Sequence, residues 1–426
     1  MQHHAGYPEK TDHGIPGGPL IVGTLSERIL GGSAGDFVDR KVDRAYVHDG
    51  TGVLTLMALR EMGAHVVTPA RFHVIFDHIV PANTSLTADL QSELRTFAQE
   101  QGMCFSDVGN GICHQLMGEG EVLPGEVVAG ADSHTCTLGA FGAFATGMGA
   151  TDLAGIWASG ATWFRVPETI AIRLHGELTG AAEPKDVALQ YVSLLGMEGA
   201  TYRAIEFIGT GAATIPMHGR LTLCNMAVES GAKTGMFFAD AVTTAYLRGF
   251  GKFADMQETE PCTYEREISI DLGAVRPLVA VPPRVDTVKN AAALAGTAID
   301  QVFVGTCTNG RFEDLARFAH IVKGKQVKVR TIVVPASRTV LERLEREGHL
   351  GTIIRSGCVI GPAGCGPCLG AHMGVIGKGE VCLSTANRNF SNRMGVGGAI
   401  YLSSVATAAV SALNGEITEP EADDVR

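Results

Sequence analysis

The sequence predicts an α/β fold of more than one domain, and three observations carry that expectation. Strand-like apolar runs alternate with stretches of helical spacing along most of the chain, the pattern of parallel sheets covered by helices. Glycine supplies 54 of the 426 residues while aromatic residues make up only 6%, a composition of many tight loops rather than of disorder or collagen. A chain of this length also exceeds one compact core.

The elements follow in order. Residues 1–22, with His3, His4 and His13 among glycines and prolines, lack an apolar signal core and read as a mobile tail. Val47-His48-Asp49-Gly50-Thr51-Gly52 closes a strand, and a helix follows from Val53 to about Met62 with Gly63 as its stop. Arg71 to Val80 is the next strand and carries Asp77-His78-Ile79-Val80-Pro81. Thr84 or Ser85 caps a helix whose Leu86, Leu90, Leu94 and Phe97 recur at helical spacing, and Gly102 ends it. After Gly109-Asn110-Gly111-Ile112-Cys113-His114, a strand from Glu126 to Ala129 runs into Asp132-Ser133-His134-Thr135. The run from Leu138 to Ala161 is hydrophobic, but it is mostly Gly and Ala and holds Asp152. It reads as packed soluble core, not as a membrane span.

A composition change at Arg165-Val166-Pro167 ends the first domain, 23–165. The second, 166–290, opens with a strand from Thr169 to Leu174 and carries Cys224-Asn225-Met226-Ala227-Val228-Glu229-Ser230-Gly231. Its polar, proline-containing end from Val281 to Asn290 reads as a linker. The third, 291–418, alternates strand, Cys307 loop, helix (Leu315, Phe318, Ala319, Val322), strand (Val329 to Val334) and helix (Val340 to Glu347).

A net charge of −11 and a pI near 5.7 speak against a general nucleic-acid binder. Ten cysteines without a secretion signal point to a reducing compartment and a cytoplasmic location. Cys365-Gly366-Pro367-Cys368 and the Cys307 of Gly305-Thr306-Cys307-Thr308-Asn309-Gly310 are three thiols suited to an iron–sulfur cluster or a zinc ion. A redox pair would more often follow the first strand of a small domain. A zinc site wants a fourth ligand, and Cys358 could supply it, but its apolar neighbours make it a packing thiol. Cys104, Cys113, Cys136, Cys224, Cys262 and Cys382 read the same way.

Asp77-His78 and Asp132-Ser133-His134 each set a carboxylate beside an imidazole. One such pair is usually structural. His78, His114 and His134 all fall at predicted strand-to-loop junctions, where α/β sheets bind ligands. Ser133 is in no nucleophile elbow, and no phosphate-binding G-x-x-x-x-G-K-[ST] occurs. Glu229 on its own could face solvent. Arg388 and Arg393, spaced among asparagines, suit a carboxylate clamp.

The stretches FDHIVP, GNGICHQ, ADSHT, NMAVESGA, GTCTNG, CGPC and ANRNFSNR resemble the aconitase superfamily in kind and order. The nearer likeness is to the large subunit of its two-subunit branch, which includes 3-isopropylmalate dehydratase and homoaconitase. The resemblance implies an aconitase-like subunit of three α/β domains, without the swivelling domain of the single-chain members. It implies one 4Fe–4S cluster on Cys307, Cys365 and Cys368, with one iron open to substrate. Asp77 and His78 would assist protonation of a leaving hydroxyl. His114, Asp132, His134 and Glu229 would line the iron and its water. Asn225 and Asn387 would support the cluster surroundings, while Arg388, Arg393 and Ser133 would meet substrate. Asp49 and Thr51 match the branch's HD-x-T motif and would join them. Leu138 stands where the branch often shows a polar residue. The expected partners are a small anionic carboxylate and a small subunit bearing the swivelling domain, for which the end of this chain leaves no room. Neither nucleic acid nor membrane is expected. The activity implied is isomerisation of a hydroxy-di- or tricarboxylate by dehydration and rehydration, first of 2- and 3-isopropylmalate, then of homoaconitase or 2,3-dimethylmalate type. An apo-form nucleic-acid-binding regulator and a zinc hydrolase are the distant alternatives.

Overall fold

The computed structural model describes residues 23–258 and 262–425; the tail expected at 1–22 lies outside them. Three large sheets and a two-stranded one, Phe37–Lys41 paired antiparallel with Ala161–Arg165, carry the described residues. The first has five strands in the spatial order Cys104–Ser106, Phe72–Ile75, Arg44–His48, Val127–Gly130, Phe144–Gly147. Every neighbouring pair in it is parallel. The chain starts at the central strand, builds out to one side, then returns and builds the other. Where the direction reverses, loops at the carboxyl ends of adjacent strands diverge and leave a crevice. Asp49, Asp77-His78 and Asp132 follow those ends.

The second sheet is parallel throughout, in the order Thr234–Phe237, Ala204–Ile208, Thr169–His175, Arg266–Asp271. The third has seven strands and repeats the first sheet's device. From Gln301–Val304 the chain builds through Arg330–Val333 to Val359–Ile360 on one side, then through Val381–Ser384 and Ala399–Ser403 on the other, all parallel. Cys307 and Asn387-Arg388 therefore follow adjacent strand ends.

The stretch expected as a linker is part of this sheet. Leu278–Ala280 pairs antiparallel with Val288–Asn290 and with Ala399–Ser403. Lys289 and Asn290 are exposed on this sheet edge, so the strand has a linker's composition. The third sheet thus begins ahead of residue 291.

The helix Ser85–Gln101 starts where Thr84 Oγ1 accepts the Thr87 N–H at 3.1 Å and ends at Gly102, with φ +68°. Its buried face is Gln91, Leu94 and Ala98, whereas Leu86 is 66% exposed: the helix is buried only from Gln91 onward, and its first turns lie in solvent. The helix Phe312–Val322 buries Leu315, Phe318, Ala319 and Val322 as expected. The run from Leu138 is broken into a 3-10 turn, the strand Phe144–Gly147 and the helix Ala150–Ser159. Among the described residues no helix is long and apolar enough to cross a membrane.

The three sheets share one apolar core. Tyr46 and Ile75 of the first, Ile172 and Phe207 of the second, and Phe303 and Leu402 of the third belong to a single buried cluster. Burial of that apolar surface holds the domains together more firmly than any connecting segment could. Gly111 marks a close approach: it bridges Ser337, and a Cβ there would meet Ala336 O at 2.6 Å and Ser337 Cα at 2.7 Å. Its φ of +144° also favours glycine.

Candidate active site

The site is centred on Asp132, which caps the turn Ser133–Phe141. Its Oδ1 accepts the His134 backbone N–H at 2.7 Å and lies 3.0 Å from His114 Nε2. Its Oδ2 lies 3.3 Å from His78 Nε2 and 3.7 Å from His48 Nε2. Burial would raise the carboxyl, but His114, His134 and His78 override it and hold Asp132 well below the usual carboxylate range.

His78 is held between two carboxylates. Its Nδ1 lies 2.6 Å from Asp77 Oδ1, opposite the Asp132 contact. Burial works against its charge, yet Asp77 and Asp132 raise it well above an ordinary histidine. Asp77 also accepts the Cys113 N–H at 2.7 Å and is held low despite its burial. His48 stacks on His78 with ring centroids 3.7 Å apart. Burial, then the charge of His78, pushes His48 down to about 4. Of two adjacent imidazoles, one is set up to carry a proton and the other to stay neutral.

His48, Asp49, Asp77 and His78 place ligand atoms within 4.8 Å of one another, but those atoms are already engaged. Asp49 Oδ1 accepts Asp77 N–H at 3.1 Å and His78 N–H at 2.9 Å, and Oδ2 accepts Ile79 N–H at 2.8 Å and the Gln91 amide at 3.1 Å. Asp49 thus folds the loop that presents His78 and does not line the cavity. Thr51 does not line it either; its buried hydroxyl has no partner among the described residues.

Glu229 enters from a 3-10 turn, Ala227–Ser230. Its Oε1 lies 2.8 Å from His134 Nε2. Arg388 Nε donates to both Glu229 oxygens at 2.9 and 3.1 Å, and another guanidinium nitrogen donates to Ser133 Oγ at 3.0 Å. Burial and Arg388 both lower His134, but Asp132 and Glu229 outweigh them and raise it. Arg393 lines the same cavity, and its buried Nε has no partner among the described residues.

Cys307, Cys365 and Cys368 face these groups across a cavity of about 150 Å³. Thr306, just before Cys307, takes a left-handed φ of +72°, a strain typical of functional loops. Cys365 N–H donates to Asp77 O at 2.8 Å, tying the cysteine turn to the His78 loop. Asn225 Nδ2 donates to Cys307 Sγ at 3.1 Å, and Asn387 Nδ2 reaches the same sulfur at 3.5 Å. The Asn387 Oδ1 lies 3.5 Å from Cys368 Sγ. Burial pushes the Cys307 thiol up to about 12. Cys365 is raised and Cys368 lowered by the hydrogen bond between them, with Arg393 and His134 adding positive charge beside Cys368.

Three thiols, amide donors aimed at sulfur and nearby cations fit a cluster with negative charge on its sulfurs. Leu138 is fully buried in the shared core and does not line the cavity.

Sequence reasoning passed over His48, although it heads the same strand-end dipeptide as Asp49. It also passed over Lys185 and Arg311, which are wholly or almost wholly buried behind the cysteine loops, because isolated basic residues carry no motif.

The family model described as "Aconitase family (aconitate hydratase)" matches residues 26–415. A protein of Methanosarcina mazei named "Probable methanogen homoaconitase large subunit" is 49% identical over 384 residues, covering 89% of this chain and 98% of its own length. The "3-isopropylmalate dehydratase large subunit 1" of Methanopyrus kandleri is 46% identical over 411 residues, covering 93% and 98%. Among solved structures, the holo-form of aconitase X from Thermococcus kodakaraensis matches with a TM-score of 0.52 over 82% of this chain and 84% of that one. At 14% identity that likeness is one of fold.

Proposed function

The chain belongs to the aconitase family, and from that premise we propose that it is the large subunit of a hydro-lyase isomerising 2- and 3-isopropylmalate by dehydration and rehydration. The observation that carries this reading is the Asp132-centred histidine network facing the three cysteines across one cavity. A 4Fe–4S cluster held by Cys307, Cys365 and Cys368 would supply Lewis acidity at an iron without a protein ligand.

The chain's own residues account for the proton and the charge. His78, kept protonated by Asp77 and Asp132, is the acid that hands a proton to the leaving hydroxyl. His114, His134 and Asp132 fix the orientation of the departing water through their shared hydrogen bonds. Glu229 holds Arg388 and His134 in place. Arg393, with a buried donor without a partner among the described residues, and Arg388 present guanidinium groups to substrate carboxylates. The base that removes the proton α to a carboxylate, and the groups that read the substrate's side chain, belong to a small subunit carrying the swivelling domain. Homoaconitase activity is the second reading, favoured by the Methanosarcina relative's name; dimethylmalate dehydration is the third.

The test is anaerobic reconstitution with iron and sulfide, addition of the small subunit, and ultraviolet detection of the dehydrated intermediate from isopropylmalates, homocitrate and dimethylmalate. Turnover of isopropylmalate that vanishes in Cys365→Ser and without the small subunit is the expected result. A loaded cluster that turns over only homocitrate would move the assignment to the second reading, and one that turns over none of these acids would overturn the substrate assignment.

A further inference from the structure

We propose that Lys185 is a positioning residue of the cysteine site, a buried cation whose charge offsets that of the cluster ligands and whose ammonium holds the loop carrying Asn387 and Arg388. The inference rests on the cluster reading above.

Lys185 lies in the first turn of the helix Pro184–Leu195, in the second domain, and is wholly buried. Its Nζ crosses to the third domain and donates to Thr385 O at 2.8 Å and Ala386 O at 2.7 Å. The next residues are Asn387, which reaches Cys307 Sγ, and Arg388, which grips Glu229 and Ser133. The Thr385 carbonyl also accepts the hydroxyl of Thr308, the residue after Cys307. One ammonium therefore fixes both strand-end loops that meet at the sulfurs.

The position is electrostatically expensive. A buried cation loses its hydration, and the first turn of a helix is its positive end. Lys185 forms no ion pair among the described residues. The acidic groups nearby supply only part of the missing charge. Burial pushes Asp186 up to about 8 and raises Asp314. Glu183, pushed up to about 7, pairs with Arg317 at 3.1 Å. Burial pushes the ammonium down to about 8, and Cys307 and Cys368, ahead of Asp314 and Asp186, are the largest influences that favour its charge. The buried Arg311 is a second cation on the Cys307 loop, its charge favoured first by Asp314 and further by Cys307. Its guanidinium donates to the Cys307 and Thr308 carbonyls, the latter at 2.6 Å, and it too has no ion pair among the described residues. Two buried cations without ion pairs among the described residues, both bonded to the backbone of the loops that carry Cys307 and Asn387, suit an anionic group at that site.

The test compares wild type with Lys185→Gln, Lys185→Met and Lys185→Arg in the full chain reconstituted anaerobically. Gln keeps a donor for the carbonyls but no charge; Arg keeps both. Iron and sulfide are measured per chain, the cluster's midpoint potential by redox titration, and thermal unfolding of the unreconstituted chains. The expected result is a midpoint shifted to more negative values in Lys185→Gln and Lys185→Met, and a wild-type midpoint in Lys185→Arg, because removing a nearby positive charge favours the oxidised cluster. If Met unfolds, the Gln–Arg comparison still decides. A Lys185→Gln chain with wild-type midpoint and wild-type cluster content overturns the inference. Wild-type chain that binds no iron and sulfide overturns the cluster reading, and this inference with it.

Discussion

Asp49→Asn separates a loop-folding role from a substrate-binding one. The asparagine keeps Oδ1 as acceptor for the Asp77 and His78 amides. It replaces Oδ2 with an NH₂ that faces two other donors, the Ile79 N–H now at 2.8 Å and the Gln91 amide at 3.1 Å. Gln91 could turn its oxygen inward, but it would then lose its bond to Ile79 O at 3.0 Å. A hydrogen bond to a charged group contributes about 1.5–3 kcal/mol, so losing two costs the loop roughly 3–6 kcal/mol. At about 1.4 kcal/mol per decade, amide exchange at residues 77–79 accelerates by at least ~10²-fold. Hydrogen exchange by mass spectrometry on peptides covering 72–80 reads this directly, in the chain alone. Turnover falls as well, because His78 rides on that loop. Unchanged exchange together with a raised KM for the reconstituted enzyme would refute the argument and return Asp49 to the substrate.

Arg388→Lys removes the fork that joins Glu229 to Ser133; a loss of about 3–4 kcal/mol in charge-assisted bonds predicts a kcat/KM lower by ~10²- to 10³-fold, and a loss under threefold would contradict it. Asn225→Asp places a carboxylate against Cys307 Sγ in place of an amide donor at 3.1 Å; iron release from the reconstituted chain is expected to quicken by ~10-fold, read with a chelator. His73, buried and pushed down to about 4 by burial, has a folded value below its unfolded one near 6.5. The unfolded chain therefore takes up the proton first, and stability contributed by the neutral ring is present above about 6.5 and lost as pH falls toward 4. His73→Phe should flatten the fall in unfolding midpoint between those limits, by up to ~3 kcal/mol; an unaltered pH profile would count against the assignment.

Much of the fold was legible because local signals agreed with it. Thr84 and Gly102 bracket the helix Ser85–Gln101, and Leu315, Phe318, Ala319 and Val322 form the buried stripe of theirs. The hairpin at 278–290 was not legible, since an exposed edge strand and a linker share a polar composition. Leu86 shares the spacing of Leu94 yet lies in solvent, because periodicity shows which residues share a helical face but not where along the helix burial begins. At the site, Asp132 and His134 stood out as a motif, and the structure adds His48 beside them through ring stacking across two strand ends. The buried cations Lys185 and Arg311 act through carbonyls of residues far away in sequence, and such contacts exist only after three sheets have packed.

That packing sets an order of events in synthesis. The cavity takes Asp132 from the first sheet's loops, Glu229's partner Arg388 from the third, and its last two sulfurs at Cys365 and Cys368, late in a chain of 426 residues. Domains emerge and fold from the N-terminus onward, so the first two can be complete while the site is still open on one side. The three thiols can then come together only when nearly the whole polypeptide has been made. A nascent chain halted before the cysteine turn would offer only Cys307 of the three thiols and would lack the inner strands Val381–Ser384 and Ala399–Ser403 of the third sheet.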